Sequence, residues 1–204
     1  AFLHQGQICM AARRIIVERP IAKEFIDKLV AKTKGLKVGS PTEMDTIIGP
    51  LINKQALDQV GARVDEAVKG GAKVLTGGKA QGACYEPTLI TDVPANATMS
   101  KEETFGPVAT ITIVDDADEA VKVANETTYG LSAGILTKDA DRALGLAERI
   151  DAGIVHINDQ PVNDEPQVPF GGVKATGYGR VRGSGPAAER AEPRAVAVRG
   201  PGSP

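Results

Sequence analysis

Pro107-Val108-Ala109-Thr110-Ile111-Thr112-Ile113-Val114 is apolar or β-branched along its length, the pattern of a strand buried on both faces and therefore central in a sheet. After it, Asp115-Asp116-Ala117-Asp118 offers several N-caps for a helix through Val121 and Ala124, because short polar side chains satisfy the open N–H groups of a first turn. Residues 131–137 read as a further strand, 139–150 as a helix with Leu144, Ala147 and Ile150 inward, and 153–158 as a closing strand. The same alternation precedes the central run. A strand at Arg14–Glu18 leads through Pro20 into a helix to about Lys34, with Phe25, Leu29 and Val30 as its apolar stripe and Gly35 as its cap. A second helix spans Lys54–Lys69, with Leu57, Val60, Val64 and Val68 at helical spacing and Gly70-Gly71 ending it. Lys73–Thr76 is a short strand; residues 85–91 are extended, with Pro87 favouring an edge or an irregular position. Strands alternating with helices require crossover connections, which predicts an α/β fold with a largely parallel sheet covered by helices. Ligands bind such open sheets at the strand carboxyl ends, where Asn158 stands.

Bulk properties exclude several classes. The chain has 204 residues, 42% hydrophobic and 25% charged, enough for a good-sized core without staples. A net charge of −2 gives no electrostatic case for nucleic acid or an anionic membrane surface. No apolar run approaches a membrane span, and the first residues lack the pattern of a signal peptide. Cys9 and Cys84 form no disulfide framework and no cluster with metal spacing, so a reducing, cytoplasmic setting and no metal site are expected. From residue 181 the chain is dominated by Ala, Arg, Gly and Pro with little periodic apolar content, and an irregular or disordered tail over 181–204 is expected.

Three stretches carry chemistry. Cys9 lies in Gln5-Gly6-Gln7-Ile8-Cys9-Met10-Ala11-Ala12. A cysteine is a nucleophile only as its thiolate, so it needs backbone N–H donors, a helix N-terminus or a cation. Gly6 permits close backbone approach, Gln7 brings amide donors, and Ala11-Ala12-Arg13-Arg14 is expected to form a helical turn opening toward the sulfur. A buried structural thiol is the competing reading. In Glu102-Glu103-Thr104-Phe105-Gly106-Pro107-Val108 a carboxylate precedes an aromatic ring by two residues, a pairing able to hold ribose hydroxyls and a flat heterocycle. A solvated helix end beside a core Phe would read the same way. In Pro169-Phe170-Gly171-Gly172-Val173-Lys174, continuing to Arg180, the glycines imply close backbone approach and hold Phe170 on a constrained loop; a surface turn is the alternative.

In this order and spacing the three motifs closely resemble the catalytic domain of the NAD(P)-dependent aldehyde dehydrogenase superfamily, over residues 1–180, with Thr176 where Ser is usual. The resemblance implies that Cys9 attacks an aldehyde carbonyl to give a thiohemiacetal, that Glu103 and Phe105 hold the nicotinamide ribose and ring of NAD or NADP, and that Asn158 and Phe170 line the substrate tunnel. Cys84 matches no family site. The acidic loop over residues 158–167 resembles the branch acting on aromatic aldehydes such as benzaldehyde, vanillin or salicylaldehyde.

The family's cofactor domain, general-base glutamate and second oxyanion donor precede the cysteine and match no residue here, so the chain alone is expected to be an inactive fragment. Family members form homo-oligomers through a hydrophobic strand after the third motif; the composition here resembles a frame-shifted reading of a GC-rich gene, and that strand is expected to be missing. A non-catalytic binding or assembly module and a related acylating aldehyde dehydrogenase are the other expectations.

Overall fold

The computed structural model describes residues 1–181 and 195–198, which form two compact units divided at Asp116 and Ala117. The first unit contains β1 (Arg14–Glu18), α1 (Arg19–Lys34), α2 (Lys54–Lys69), β2 (Lys73–Thr76), β3 (Ala80–Gln81), β4 (Cys84–Tyr85), β5 (Thr88–Thr91), α3 (Thr98–Lys101) and β6 (Val108–Val114). The second contains α4 (Ala117–Asn125), β7 (Ser132–Ile135), α5 (Ala140–Ala147), β8 (Ile154–Ile157) and β9 (Ala195–Val198).

In the first unit the sheet order is β1-β6-β5-β2, with β1, β6 and β5 parallel and β2 antiparallel at the edge. The strand read from residues 107–114 is interior, as its composition predicts. Alternate residues feed two cores. Leu89, Ala109 and Ile111 pack with Val17 and Ala22 against the α1 side chains Phe25 and Leu29. Ile90 and Val108 pack with Val60, Val64 and Ala67 of α2. The sheet is therefore covered on both faces.

α2 is stopped cleanly at both ends. The Asn53 side chain accepts the Ala56 N–H at 2.8 Å, and Ala72 N–H donates to the Ala67 carbonyl at 2.9 Å across a left-handed Gly71. The buried stripe of α2 runs through Val60, Val64 and Ala67, whereas Val68, expected inward, is 44% exposed, because a 3.6-residue turn carries it past the contact line. Similarly α5 ends at Ala147 and buries Ala143 and Ala147, and Leu144 faces outward.

In the second unit β7, β8 and β9 form a parallel three-stranded sheet, so the parallel strands fall in two sheets. β9 lies within the span expected to be irregular. Its Val196 pairs with Val155 and its Ala197 with His156 of β8, four residues of alternating Ala and Val being enough to extend an existing ladder. The remaining residues of that expected tail, 182–194 and 199–204, lie outside the described residues. Among the described residues no helix is long and apolar enough to cross a membrane.

Candidate active site

Cys9 is exposed and sits in a tight turn over residues 8–11, closed by the Ala11 N–H donating to the Ile8 carbonyl at 3.1 Å. The helical turn expected over Ala11-Ala12-Arg13-Arg14 does not form: residues 11–13 are without helix and run directly into β1. The reason lies in the sheet. The Arg13 carbonyl accepts the Thr110 N–H of β6 at 2.8 Å, and a helix there would leave that central-strand donor unpaired.

The first two motifs meet. Gly6 is buried at φ +67°, and a Cβ on it would lie 2.0 Å from the Gly106 carbonyl oxygen, so only glycine lets the two backbones touch. Gln7 accepts the Ile52 N–H at 2.9 Å through its side-chain oxygen, tying the segment before Cys9 to the loop before α2.

Arg13 joins the same two segments. Its guanidinium pairs with the Glu103 carboxylate through Nη1, reaches the Ile8 carbonyl at 3.5 Å through Nη2, and lies 4.1 Å from the centroid of the Phe105 ring. Glu103 keeps a third of its side chain exposed and Phe105 is 39% exposed. Phe105 also adopts a left-handed backbone, φ +48°, a state rare for a bulky residue and sustained only where surrounding contacts impose it. Below it, buried Arg63 of α2 donates to the Glu103 carbonyl and to the Glu102 carboxylate, the latter at 2.7 Å. Arg63 and Arg13 are missed by motif reading. Arg63 does leave a signal: it stands three residues after Val60 on the buried stripe of α2, and a buried cation demands partners.

Cys84, by contrast, is buried, with its Sγ 3.7 Å from the Gly39 carbonyl, and burial raises its thiol pKa.

In the second unit Asn158 follows β8 directly, in a left-handed conformation at φ +59°. Its N–H donates to the Ile135 carbonyl at 2.7 Å and its Oδ1 accepts the Thr137 N–H at 2.9 Å, tying off the end of β7. Phe170 is held by a two-way backbone bridge with Val181, both bonds 2.8 Å. The glycine motif is a knot of backbone. A Cβ on Gly153 would stand 1.9 Å from the Gly171 carbonyl oxygen. The Thr176 hydroxyl accepts the Gly130 N–H at 2.8 Å, a role needing only the hydroxyl that Thr shares with Ser. Lys174 donates to the Asn125 carbonyl at 2.8 Å and the Thr127 carbonyl at 3.2 Å, covering the negative end of α4.

The aldehyde dehydrogenase family model matches residues 1–196. The chain belongs to the aldehyde dehydrogenase family. Benzaldehyde dehydrogenase [NAD(+)] of Pseudomonas putida is 47% identical over 186 residues, covering 91% of this chain and 38% of that protein. Salicylaldehyde dehydrogenase of Pseudomonas putida is 44% identical, covering 90% of this chain and 38% of that protein. The crystal structure of an aldehyde dehydrogenase from Physcomitrella patens, in complex with the reaction product succinate, superposes with a TM-score of 0.85 at 42% identity, over 88% of this chain and 37% of that one. This aldehyde dehydrogenase chain thus spans less than half the length of the curated relatives it matches.

Proposed function

We propose that this chain supplies the nucleophile and part of the cofactor cradle of an aldehyde dehydrogenase that oxidises an aromatic aldehyde to its acid. The observation that carries the reading is the convergence of exposed Cys9, Glu103 and Phe105 through the Gly6–Gly106 contact and Arg13. The benzaldehyde and salicylaldehyde dehydrogenases among its relatives support the aromatic substrate.

The Cys9 thiolate adds to the aldehyde carbonyl, forming the S–C bond of a thiohemiacetal whose oxyanion the Cys9 backbone N–H helps to hold. Glu103 and Phe105 would hold NAD or NADP, which would supply the hydride acceptor for this carbon; water would then cleave the resulting thioester to release the acid and free Cys9. Glu103 and Phe105 fit such a cofactor: a partly exposed carboxylate suits the ribose diol and a partly exposed ring suits the flat nicotinamide. Asn158 and Phe170 are assigned to the walls of the substrate passage. The isolated chain is expected not to turn over, since no residue in it matches the general base or the second oxyanion donor.

The test is alkylation by iodoacetamide at neutral pH, mapped by mass spectrometry at Cys9 and Cys84, in the folded chain and in the same chain unfolded by urea. Cys9 is expected to react faster in the folded than in the unfolded chain, and to be protected by millimolar benzaldehyde more than by acetaldehyde. Equal folded and unfolded rates, with no protection by either aldehyde, would leave a binding or assembly module as the better description.

A further inference from the structure

Arg13 stands four residues after Cys9 and 90 residues before Glu103, and its side chain reaches both the turn that carries Cys9, at the Ile8 carbonyl, and the Glu103 carboxylate. One guanidinium makes three contacts of different kinds: an ion pair with Glu103 Oε1, a cation–π contact with the ring of Phe105, and a reach toward the Ile8 carbonyl, which itself closes the Cys9 turn. A lysine cannot reproduce this set, because its ammonium is a point charge while the planar fork stacks and donates in two directions at once. The pair with Glu103 uses only Oε1, so Oε2 lies outside it. Arg63 fixes the Glu103 backbone from below, which leaves the carboxylate orientation to Arg13.

We propose that Arg13 is a positioning residue that couples the Cys9 turn to the Glu103–Phe105 segment, setting the separation between nucleophile and cofactor cradle. The proposal rests on the assignment of Cys9, Glu103 and Phe105 in the preceding section and names what holds them in register. Its physical basis is the rigidity of the three contacts: the left-handed Phe105 backbone persists only if its surroundings over-determine it, and the guanidinium covers one face of its ring. Misplacement by about 1 Å costs on the order of 100-fold in rate, so a strut between two segments far apart in sequence serves the chemistry without touching the substrate. Coupling is also reciprocal. A ligand that engages Glu103 acts on the Cys9 turn through Arg13, and a change at the turn acts on the cradle.

The test reads amide hydrogen exchange by NMR in the full 204-residue chain. Three donors serve as reporters: Ala11 N–H, bonded to Ile8, for the turn; Val108 N–H, bonded to Gly106, for the cradle; and Ile154 N–H, bonded to Leu131, as a folding control in the second unit. Arg13→Ala is expected to speed exchange at both Ala11 and Val108 about tenfold, with Ile154 unchanged, corresponding to a local loosening of about one tenfold step in opening equilibrium. Low-millimolar guanidinium, well below denaturing levels, should restore protection in Arg13→Ala where methylammonium does not.

Glu103→Gln is the decisive variant. It leaves Arg13 in place and sits far from Ala11 in sequence, yet it should also speed exchange at Ala11, which a purely local role for Arg13 does not produce. Ala11 exchanging at its normal rate in Glu103→Gln, or Val108 unaffected in Arg13→Ala, overturns the coupling. If Arg13→Ala fails to fold, Glu103→Gln alone decides. The outcome is separable from the assigned chemistry: coupled exchange with an unreactive Cys9 keeps the strut and removes the nucleophile, while a reactive Cys9 with uncoupled exchange does the reverse.

Discussion

The Cys9 cluster and the Asn158 region sit at opposite kinds of strand end. Cys9 precedes β1 and Glu103–Phe105 precede β6, so the first cluster lies at the amino ends of parallel strands; Asn158 follows β8, at a carboxyl end. The carboxyl-end rule for open α/β sheets therefore describes the second region and fails for the first. What differs is how the polar groups are spent. In the second unit Asn158 Oδ1 and the Thr176 hydroxyl accept backbone N–H groups, and Lys174 donates to two backbone carbonyls and pairs with the Asp151 carboxylate at 3.2 Å. Around Cys9 the thiol is exposed, and the carboxylate and ring are partly exposed and held by one another through Arg13. The first region leaves its thiol, carboxylate and ring partly open to solvent, and the second commits its hydrogen-bonding atoms to backbone partners.

The strongest way to break this contrast is a methyl group in each region. Gly153→Ala would drive its Cβ to 1.9 Å from the Gly171 carbonyl, backbone against backbone, with no flexible end to yield. The expected loss is about 3 kcal/mol, at the upper end for overpacking. Cys9→Ser, at an exposed position, is expected to stay within about 0.5 kcal/mol of the parent while abolishing alkylation there. Urea unfolding of both variants checks the pair. A tolerated Gly153→Ala would mean that the glycine knot is not what holds the second unit.

pH separates the units next. His156 is 2% exposed, and neither ring nitrogen has a hydrogen-bond partner among the described residues; burial lowers its pKa from the usual 6.5, offset in part by Asp159 and Asp164. A lowered folded value means that the unfolded chain binds the proton more readily, so stability from this group is present above pH 6.5 and declines as pH falls below it toward the folded value. Tyr85 in the first unit has the opposite sign. Burial pushes its phenol from 10.0 up to about 12, so its contribution is intact below pH 10 and lost as pH rises through about 12. Exchange protection followed unit by unit should show β8 weakening first in acid and β4 first in alkali, and His156→Leu should flatten the acid limb. Equal acid sensitivity in His156→Leu would assign that limb to other groups.

The elements of this fold were readable wherever local pattern and tertiary demand agree: the strand at 107–114, the Pro20 and Gly35 ends of α1, and the limits of α2 all follow from composition, caps and period. Reading failed where a distant partner decides. Ala11-Ala12 favour a helix by propensity, but the Thr110 N–H requires the Arg13 carbonyl in the ladder, and a strand 97 residues away wins. β9 is four alternating Ala and Val residues whose ladder partner among the described residues is β8, about 40 positions earlier in the chain. Cys9, Glu103 and Phe105 were visible as motifs, yet Arg13 was not, because a surface-like arginine beside a strand carries no mark of the carboxylate it will meet.

The smallest effect is the sharpest probe of the comparison, because both regions contain a non-glycine residue with positive φ. Phe105→Gly removes the cost of a left-handed phenylalanine, about 2 kcal/mol, and gives up a cation–π contact of about 0.5–1 kcal/mol and the buried part of the ring, about 1–1.5 kcal/mol, so stability should hardly move. Asn158→Gly gains less, since asparagine already tolerates this conformation, and it forfeits the acceptor for the Thr137 N–H, worth about 1 kcal/mol. The Asn158 variant should therefore be about 1 kcal/mol less stable than the Phe105 variant in urea unfolding. Equal stabilities would mean that the Oδ1 bond does not secure the end of β7. The Asn158 amide would then be as available to a ligand as the Phe105 ring, and the two regions would differ in address but not in kind.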